Sequence, residues 1–85
     1  MHNVIIPDSV VTIGDYAFQA CYSLKWIIFG TGLKEIGEYA FDSCDALKNI
    51  YYGGTQAQWK VITKKQGWNN NTGDYAITYE YVDKQ

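Results

Sequence analysis

The sequence predicts a short solenoid, in which coils of chain stack and each coil contributes one strand to a parallel β-sheet. Three observations lead to this fold class. Residues 36–50 repeat residues 13–27, 23 positions earlier, with Ile, Gly, Tyr, Ala, Phe, Cys, Leu and Lys in the same order. Each copy ends in an apolar segment suited to a strand, and glycines follow each of these segments. A repeat of roughly 20–50 residues is typical of an array of stacked units.

The predicted strands are residues 24–29 and 47–52, where Leu24-x-x-Ile27-x-Phe29 returns as the same pattern ending in Tyr52. We expect the first, fourth and sixth positions to point into the core, and the two strands to lie side by side in parallel. The same positions one period earlier are Met1, Val4 and Ile6, so the chain starts with the end of a further repeat.

The segments after each turn, residues 10–13 and 33–36, are predicted to be short extended stretches on the return side of each coil. Each is followed by a glycine, Gly14 or Gly37. Because glycine tolerates backbone conformations that a Cβ atom excludes, we expect both to adopt such a conformation.

Residues 15–20 and 38–43 are predicted to form a single helical or 3₁₀ turn in each coil. Phe18 and Phe41 would enter the core from these turns, and an acidic residue stands at the start of each, where the helix dipole favours it. The predicted core also includes Ile13, Ile36 and the equivalent cysteines.

Two cysteines, Cys21 and Cys44, occupy identical repeat positions. Strands in neighbouring coils are about 4.8 Å apart, a separation that a disulfide tolerates. Stacked side chains point in parallel, however, so we expect free, buried thiols that act as small core hydrophobes. Two cysteines and the single histidine, His2, do not form a metal site.

Residues 53–85 depart from the repeat and are predicted to form a C-terminal cap. Thr55 and Gln58 have the spacing of a helical capping box, and Trp59 and Ile62 would form the apolar face of the short helix. A polar loop is expected over residues 64–74. Residues 75–81 alternate with the period of a strand, with Tyr75, Ile77, Tyr79 and Tyr81 on one face.

Composition narrows the possible partners. The net charge is −2 and the isoelectric point about 5.1, so we expect no nucleic-acid partner, which would require a basic surface. No apolar run approaches the ~20 residues of a membrane span, and the first six residues lack the pattern of a signal peptide. We therefore expect no membrane insertion.

The run Ile-Pro-Asp-Ser-Val-x-x-Ile-Gly-x-Tyr-Ala-Phe-x-x-Cys-x-x-Leu, residues 6–24, resembles the BspA-like, or Treponema-type, leucine-rich repeat. The resemblance covers residues 1–52, about two and a half repeats, and residues 51–59 resemble the segment that closes such arrays. It implies a leucine-rich-repeat solenoid, an α/β repeat that is mostly β, with residues 1–52 as repeats and residues 53–85 as cap. It also implies a non-catalytic interaction or adhesion module of a bacterial surface or secreted protein, and hence an extracellular or cell-surface location.

The candidate partner-binding residues are Trp26, Ile28, Asn49 and Tyr51, which would lie on the outer face of the sheet. Trp and Tyr are frequent anchors of protein interfaces. Trp26 and Tyr51 could instead serve a carbohydrate-contacting surface by stacking on sugars. Alternatively, β-branched and aromatic residues simply suit a parallel strand, or the chain's own tail covers them.

Nothing in the sequence indicates catalysis or a cofactor. The acidic residues Asp15 and Glu38 recur at equivalent positions, which favours a structural role over an acid–base pair. Solenoids need about three repeats and caps at both ends, and no cap precedes the first strand. We therefore expect this chain to be the C-terminal portion of a longer array and, when it is expressed alone, to self-associate through the open N-terminal edge.

Overall fold

The computed structural model describes residues 3–82, which form one short solenoid. Its first coil comprises residues 3–25, its second residues 26–48 and its third residues 49–75, after which a last strand is added. The elements in chain order are β1 (Asn3–Ile6), β2 (Thr12–Ile13), β3 (Trp26–Phe29), β4 (Glu35–Ile36), β5 (Asn49–Tyr52), α1 (Gln56–Val61), β6 (Thr63–Lys64) and β7 (Ala76–Thr78).

The strands form two parallel sheets, one on each side of the coils. The front sheet has the order β1-β3-β5-β7 and the back sheet the order β2-β4-β6. Ile27 lies between Val4 and Ile50, one period away on either side. The predicted parallel register is therefore confirmed. Met1, which was expected to begin the first strand, lies outside the described residues.

The third side of the coils is formed by hydrogen-bonded turns instead of the predicted helical turn. Tyr16 and Ala20 adopt left-handed conformations, with φ of 61° and 60°, and these interrupt any helix. Alternate amides then point at the next coil: the N–H groups of Tyr16, Phe18 and Ala20 donate to carbonyls of residues 38, 40 and 42 over 2.7–2.9 Å. The neighbouring coil thus replaces the partners that a helix would have provided.

The glycine prediction was wrong about conformation. Gly14 and Gly37 are not among the residues with positive φ, whereas Tyr16 and Tyr39 are. Gly37 is needed for a different reason: a Cβ built there would lie 2.5 Å from the Asp15 carboxylate and 2.6 Å from its backbone nitrogen. Close approach of two coils, not backbone strain, therefore requires glycine at this position.

The core is a set of stacked columns between the two sheets and the turns. The Phe18 and Phe41 rings are parallel within 7° at 5.1 Å, and Trp68 meets Phe41 edge-on at 6.4 Å. Phe18 and Cys21 are only half-buried, contrary to the prediction, because no described residue stacks on the first coil from the other side. The buried residues are Ile6, Ile13, Leu24, Ile27, Phe29, Leu33, Ile36, Ala40, Phe41, Cys44, Leu47, Ile50, Tyr52, Trp59 and Ile62.

The third coil is longer than the other two because it contains helix α1. The predicted capping box is confirmed: Thr55 accepts from the Gln58 amide, and the Gln58 side chain accepts from the Thr55 amide. The segment predicted as a polar loop continues the solenoid instead. Glu35 pairs with Thr63, a step of 28 residues, so the helix adds five residues and the coil then returns to register.

The predicted last strand is present but is shorter than predicted, Ala76–Thr78, and its alternation is confirmed with one exception. Tyr75, Ile77 and Tyr79 are half-buried while the residues between them are exposed. Glu80 adopts a left-handed conformation with φ of 55°, so the chain reverses there. Tyr81 consequently lies against Tyr51, on the outer side of the front sheet, and not on the face predicted for it.

Both cysteines are free, in agreement with the prediction. The Cys44 thiol donates a hydrogen bond of 3.0 Å to the Phe18 carbonyl. Its burial raises the pKa of the Cys44 thiol to about 11, because a thiolate would lose its hydration.

Candidate functional site

The candidate residues Trp26, Ile28, Asn49 and Tyr51 lie together on the outer face of the front sheet. Each is half-buried, whereas their neighbours along the strands are buried in the core. Trp26 and Asn49 are directly paired, as are Ile28 and Tyr51. The columns predicted from the 23-residue period are therefore present, and they continue to Asn3 and Ile5 in the first coil.

Three aromatic side chains form a cluster on this face, which we call the aromatic cluster: Trp26, Tyr51 and Tyr81. The Trp26 and Tyr51 rings meet edge to face at 6.4 Å and 73°. The Tyr51 and Tyr81 rings are 4.7 Å apart. Part of the expected patch is thus covered by the chain's own tail, but the tail contributes an aromatic ring of its own.

A groove of about 450 Å³ adjoins the aromatic cluster, where the strands of the front sheet end. Its apolar wall comes from Ile5 and Ile28 on the sheet and from Tyr81 and Val82 on the tail. Ile5 is 53% exposed and Val82 71% exposed, so two aliphatic side chains remain open to a ligand. The sequence did not indicate this groove, because the reversal at Glu80 brings the tail there.

Charged residues flank this face at both ends of the strands. Lys25 and Lys48 precede β3 and β5, and the Lys48 amide donates to the Lys25 carbonyl over 2.8 Å, so the two exposed lysines are neighbours. Asp8 lies at the groove, where its carboxylate accepts from the Thr31 amide at 2.9 Å. The face therefore has an apolar centre with basic and acidic margins.

Asp15, one of the acidic pair considered from the sequence, has a structural role. The Asp15 carboxylate accepts a hydrogen bond of 2.8 Å from the Glu38 backbone amide, and so links the first coil to the second. Asp42 links three coils in a similar way, since Gln19 and Asn70 both donate to it over 3.1 Å. These hydrogen bonds, that of Gln19 foremost, lower the pKa of Asp42.

Residues 3–82 contain no metal-binding cluster and no membrane-spanning helix. Within this part of the chain, no group of three or more His, Cys, Asp or Glu residues could hold a metal ion. No helix in the same range is long and apolar enough to cross a membrane. His2 lies outside it.

Comparison with known proteins gives one match. A family model described as "BspA type Leucine rich repeat region (6 copies)" matches residues 1–65. No curated protein and no solved structure matches the chain significantly. The matched residues include the first two coils and, in the third, helix α1 and strand β6. The parallel solenoid built by this repeat and the extent of the match lead to the same conclusion: the chain belongs to the BspA-type leucine-rich repeat family.

Proposed function

We propose that the outer face of the front sheet is a non-catalytic protein-contact surface of a bacterial surface or secreted protein. Leucine-rich-repeat solenoids are typically repeat modules that bind proteins and are not catalytic. The observation that carries the proposal is the aromatic cluster beside an open apolar groove. The extracellular location and the role in adhesion are part of the proposal and rest on the family.

The composition of the face supports a protein partner. Trp and Tyr are enriched among residues that dominate binding energy, especially at the centre of an interface surrounded by polar groups. Trp26 and Tyr51 occupy such a central position, with Lys25 and Asp8 at the margins. The groove would accept an aliphatic or aromatic side chain of the partner against Ile5 and Ile28.

A carbohydrate-contacting surface is the second candidate, because exposed aromatic rings can stack on sugars. The geometry supports it less well. Trp26 and Tyr51 are inclined at 73° to each other, so they do not offer one flat platform to adjacent sugar units. A glycan would have to stack on a single ring.

The experiment compares three variants with the unaltered chain in binding to extracellular bacterial and host-cell proteins and to a glycan array. Trp26→Ala with Tyr51→Ala removes the aromatic cluster. Asn49→Arg places a long charged side chain on the same face without altering the core. Tyr22→Ala is the matched control, since Tyr22 is 63% exposed and lies in a turn, outside the strands of the front sheet.

We expect the two sheet variants to lose at least tenfold in affinity for a protein partner, with Tyr22→Ala unchanged. Circular dichroism would confirm that each variant is folded. Equal binding by all variants would contradict the proposal. Loss of glycan binding alone, from the same sheet variants, would instead support the second candidate.

A further inference from the structure

We propose that two copies of this chain associate through their first coils, with strand β1 of one copy antiparallel to β1 of the other. The front sheets would then join into one continuous sheet across a two-fold axis. This association uses the end of the solenoid and not the outer face of the sheet, so it does not depend on the function proposed above.

The first argument is that the first coil presents an apolar end. Among the residues described, the partly buried hydrophobic side chains that pack against the core all belong to the first coil, the third coil or the last strand. None belongs to the second coil. Phe18 and Cys21 are half-buried, although their equivalents Phe41 and Cys44 are 1% and 0% exposed. A further layer on the first coil would therefore bury this surface in the same way. Its partly buried residues are Val4, Val10, Phe18 and Cys21.

The second argument is that two inward-facing columns of the solenoid end in polar residues at the opposite end. Lys64 pairs with Ile36 and so stands where the other coils have an inward-facing isoleucine. The same step of 28 residues places Thr72 next to Cys44. The Lys64 ammonium lies 4.6 Å from the Trp59 ring centre and donates to the Trp59 carbonyl. An inward-pointing charge on β6, the last strand of the back sheet, disfavours the stacking of a further coil on that end. Among the residues described, the third coil and the last strand also have half-buried hydrophobic side chains, including Trp68 and Ile77, but the first coil has no charged residue in its inward-facing columns and so offers the better partner to another first coil.

The third argument concerns the backbone of β1. Ile6 directs its carbonyl toward the second coil, where it accepts from the Gly30 amide over 2.8 Å. Because backbone groups alternate along a strand, Asn3 and Ile5 direct theirs to the open edge. If Val4 lies on the two-fold axis, Asn3 of each copy faces Ile5 of the other and can form a hydrogen-bonded pair. The two Val4 side chains then meet in the core.

The other sides of the first coil fit the same symmetry. In the second coil, the Lys34 and Gly37 amides donate to the first coil, so the first coil's equivalent amides, Val11 and Gly14, face its open end. On the turn side the outward groups are instead carbonyls, including that of Ala17, the equivalent of the acceptor Ala40. A two-fold axis through β1 exchanges these two sides and places donors opposite acceptors.

The size of the contact predicts a reversible dimer. The molecule measures 26 × 25 × 20 Å, so an end face is on the order of 400–500 Å², and two joined faces bury roughly 1,000 Å², near the lower limit of specific interfaces. We therefore expect the dimer fraction to depend on concentration.

The first test is sedimentation velocity on the 85-residue chain over a wide concentration range. The unaltered chain should convert from monomer to dimer and show no larger species. Val4→Lys should remain monomeric, because two ammonium groups would meet at the axis. Ile77→Lys is the matched control, since Ile77 ends the same inward column at the other end of the solenoid. It should still dimerise, and circular dichroism would establish that both variants are folded.

A second test does not depend on a charge in the core. Val4→Cys and Ile77→Cys would each be made with Cys21→Ala and treated with oxidised glutathione, which accepts the two electrons and two protons of disulfide formation. Directly opposed Cα atoms of a non-hydrogen-bonded antiparallel pair are about 4.5 Å apart, within disulfide range. Val4→Cys should therefore form a covalent dimer, and Ile77→Cys should not.

Three results would overturn the proposal. One is a monomer at every concentration together with no covalent dimer of Val4→Cys. Another is growth into long assemblies by head-to-tail stacking. In that case either lysine variant alone would block growth, and an equimolar mixture of the two variants would form a dimer. The third is a dimer that Ile77→Lys dissociates and Val4→Lys does not.

Discussion

Phe18 and Phe41 are chemically identical and stack on one another at 5.1 Å, yet their surroundings differ. Phe41 also contacts the Phe29 and Trp68 rings, at 5.8 and 6.4 Å, and is 1% exposed. Among the residues described, Phe18 has a neighbouring coil on one side only. The position within the array, and not the residue type, thus decides how much each ring contributes to stability.

Phe41→Ala should lower the free energy of unfolding by about 3–5 kcal/mol, the usual cost of truncating a buried Phe. An 85-residue domain has a total stability of roughly 4–13 kcal/mol, so this variant can be largely unfolded. Phe18→Ala is the internal control and should cost clearly less. Urea denaturation followed by tryptophan fluorescence measures both values, and equal losses would contradict the stacking described here.

Cys44 should remain an unreactive thiol in the native protein. Burial raises its pKa to about 11, from 9.0 for an ordinary thiol. Above pH 9 the folded state retains a proton that the unfolded state releases. The contribution of the thiol to the free energy of unfolding is therefore complete below pH 9 and is lost as the pH rises toward 11. The difference in stability between the unaltered chain and Cys44→Ala should therefore shrink over this range. Rapid labelling of Cys44 in the native protein at pH 8 would show that the thiol is accessible.

Between neighbouring elements, a glycine can be required either by the close approach of two coils or by its own backbone conformation. Comparison of Gly37 with Gly14 separates these two reasons. A methyl group at Gly37 would overlap Asp15, including its backbone, whereas a Cβ at Gly14 meets no atom within 4 Å. Neither glycine has a positive φ. The requirement for glycine is therefore imposed by the adjacent coil.

Gly37→Ala should be destabilising by more than about 1 kcal/mol, because the two coils must separate. Gly14→Ala should be neutral or stabilising by up to ~1 kcal/mol, since alanine restricts the unfolded chain at no cost in native contacts. Thermal unfolding of the two variants side by side measures the difference. A similar loss in both would indicate a conformational requirement instead.

Helix α1 is only six residues long and depends on its capping box. Thr55→Ala removes the acceptor for the Gln58 amide and should cost about 1 kcal/mol, within the usual range for an N-cap. The matched control is Gln56→Ala, whose side chain is exposed and lies within the same turn. Chemical denaturation should separate the two variants. An unchanged midpoint for Thr55→Ala would mean that Trp59 alone holds the helix in place.

At the scale of the whole molecule, the second coil holds the array together. It is the only complete coil, among the residues described, with another complete coil on both sides. The Gly37 amide donates to the first coil and the Phe41 amide to the third, both over 2.8 Å. Opening of either outer coil leaves one of these contacts intact, so local stability should be greatest in the centre.

Hydrogen exchange in dilute solution should therefore be slowest for the amides of Ile27, Gly37 and Phe41. The amides of Asn3 and Ile5 on the open edge should exchange fastest among strand residues. Two-dimensional NMR resolves these groups individually. Uniform protection across the three coils would show instead that the solenoid unfolds only as a whole.

The 23-residue repeat was enough to specify the repeating unit, the parallel register of the front sheet and most of the core. A repeat whose period equals one coil places like residues above one another, so Ile27 and Ile50 had to stack once the strands were parallel. The capping box was equally readable, since Thr55 and Gln58 lie within one helical turn. Trp26, Ile28, Asn49 and Tyr51 could be assigned to one face by strand alternation alone.

Stacking of the coils, by contrast, set the conformation of the turns, the course of the third coil and the make-up of the aromatic cluster. The amides of Tyr16 and Phe18 have partners in the next coil, and no local pattern specifies such a bond. Register after helix α1 depends on where Thr63 finds a neighbouring strand. Tyr81 reaches the outer face because Glu80 reverses the chain. Each of these features depends on residues distant in sequence, whose proximity arises only when the coils have stacked.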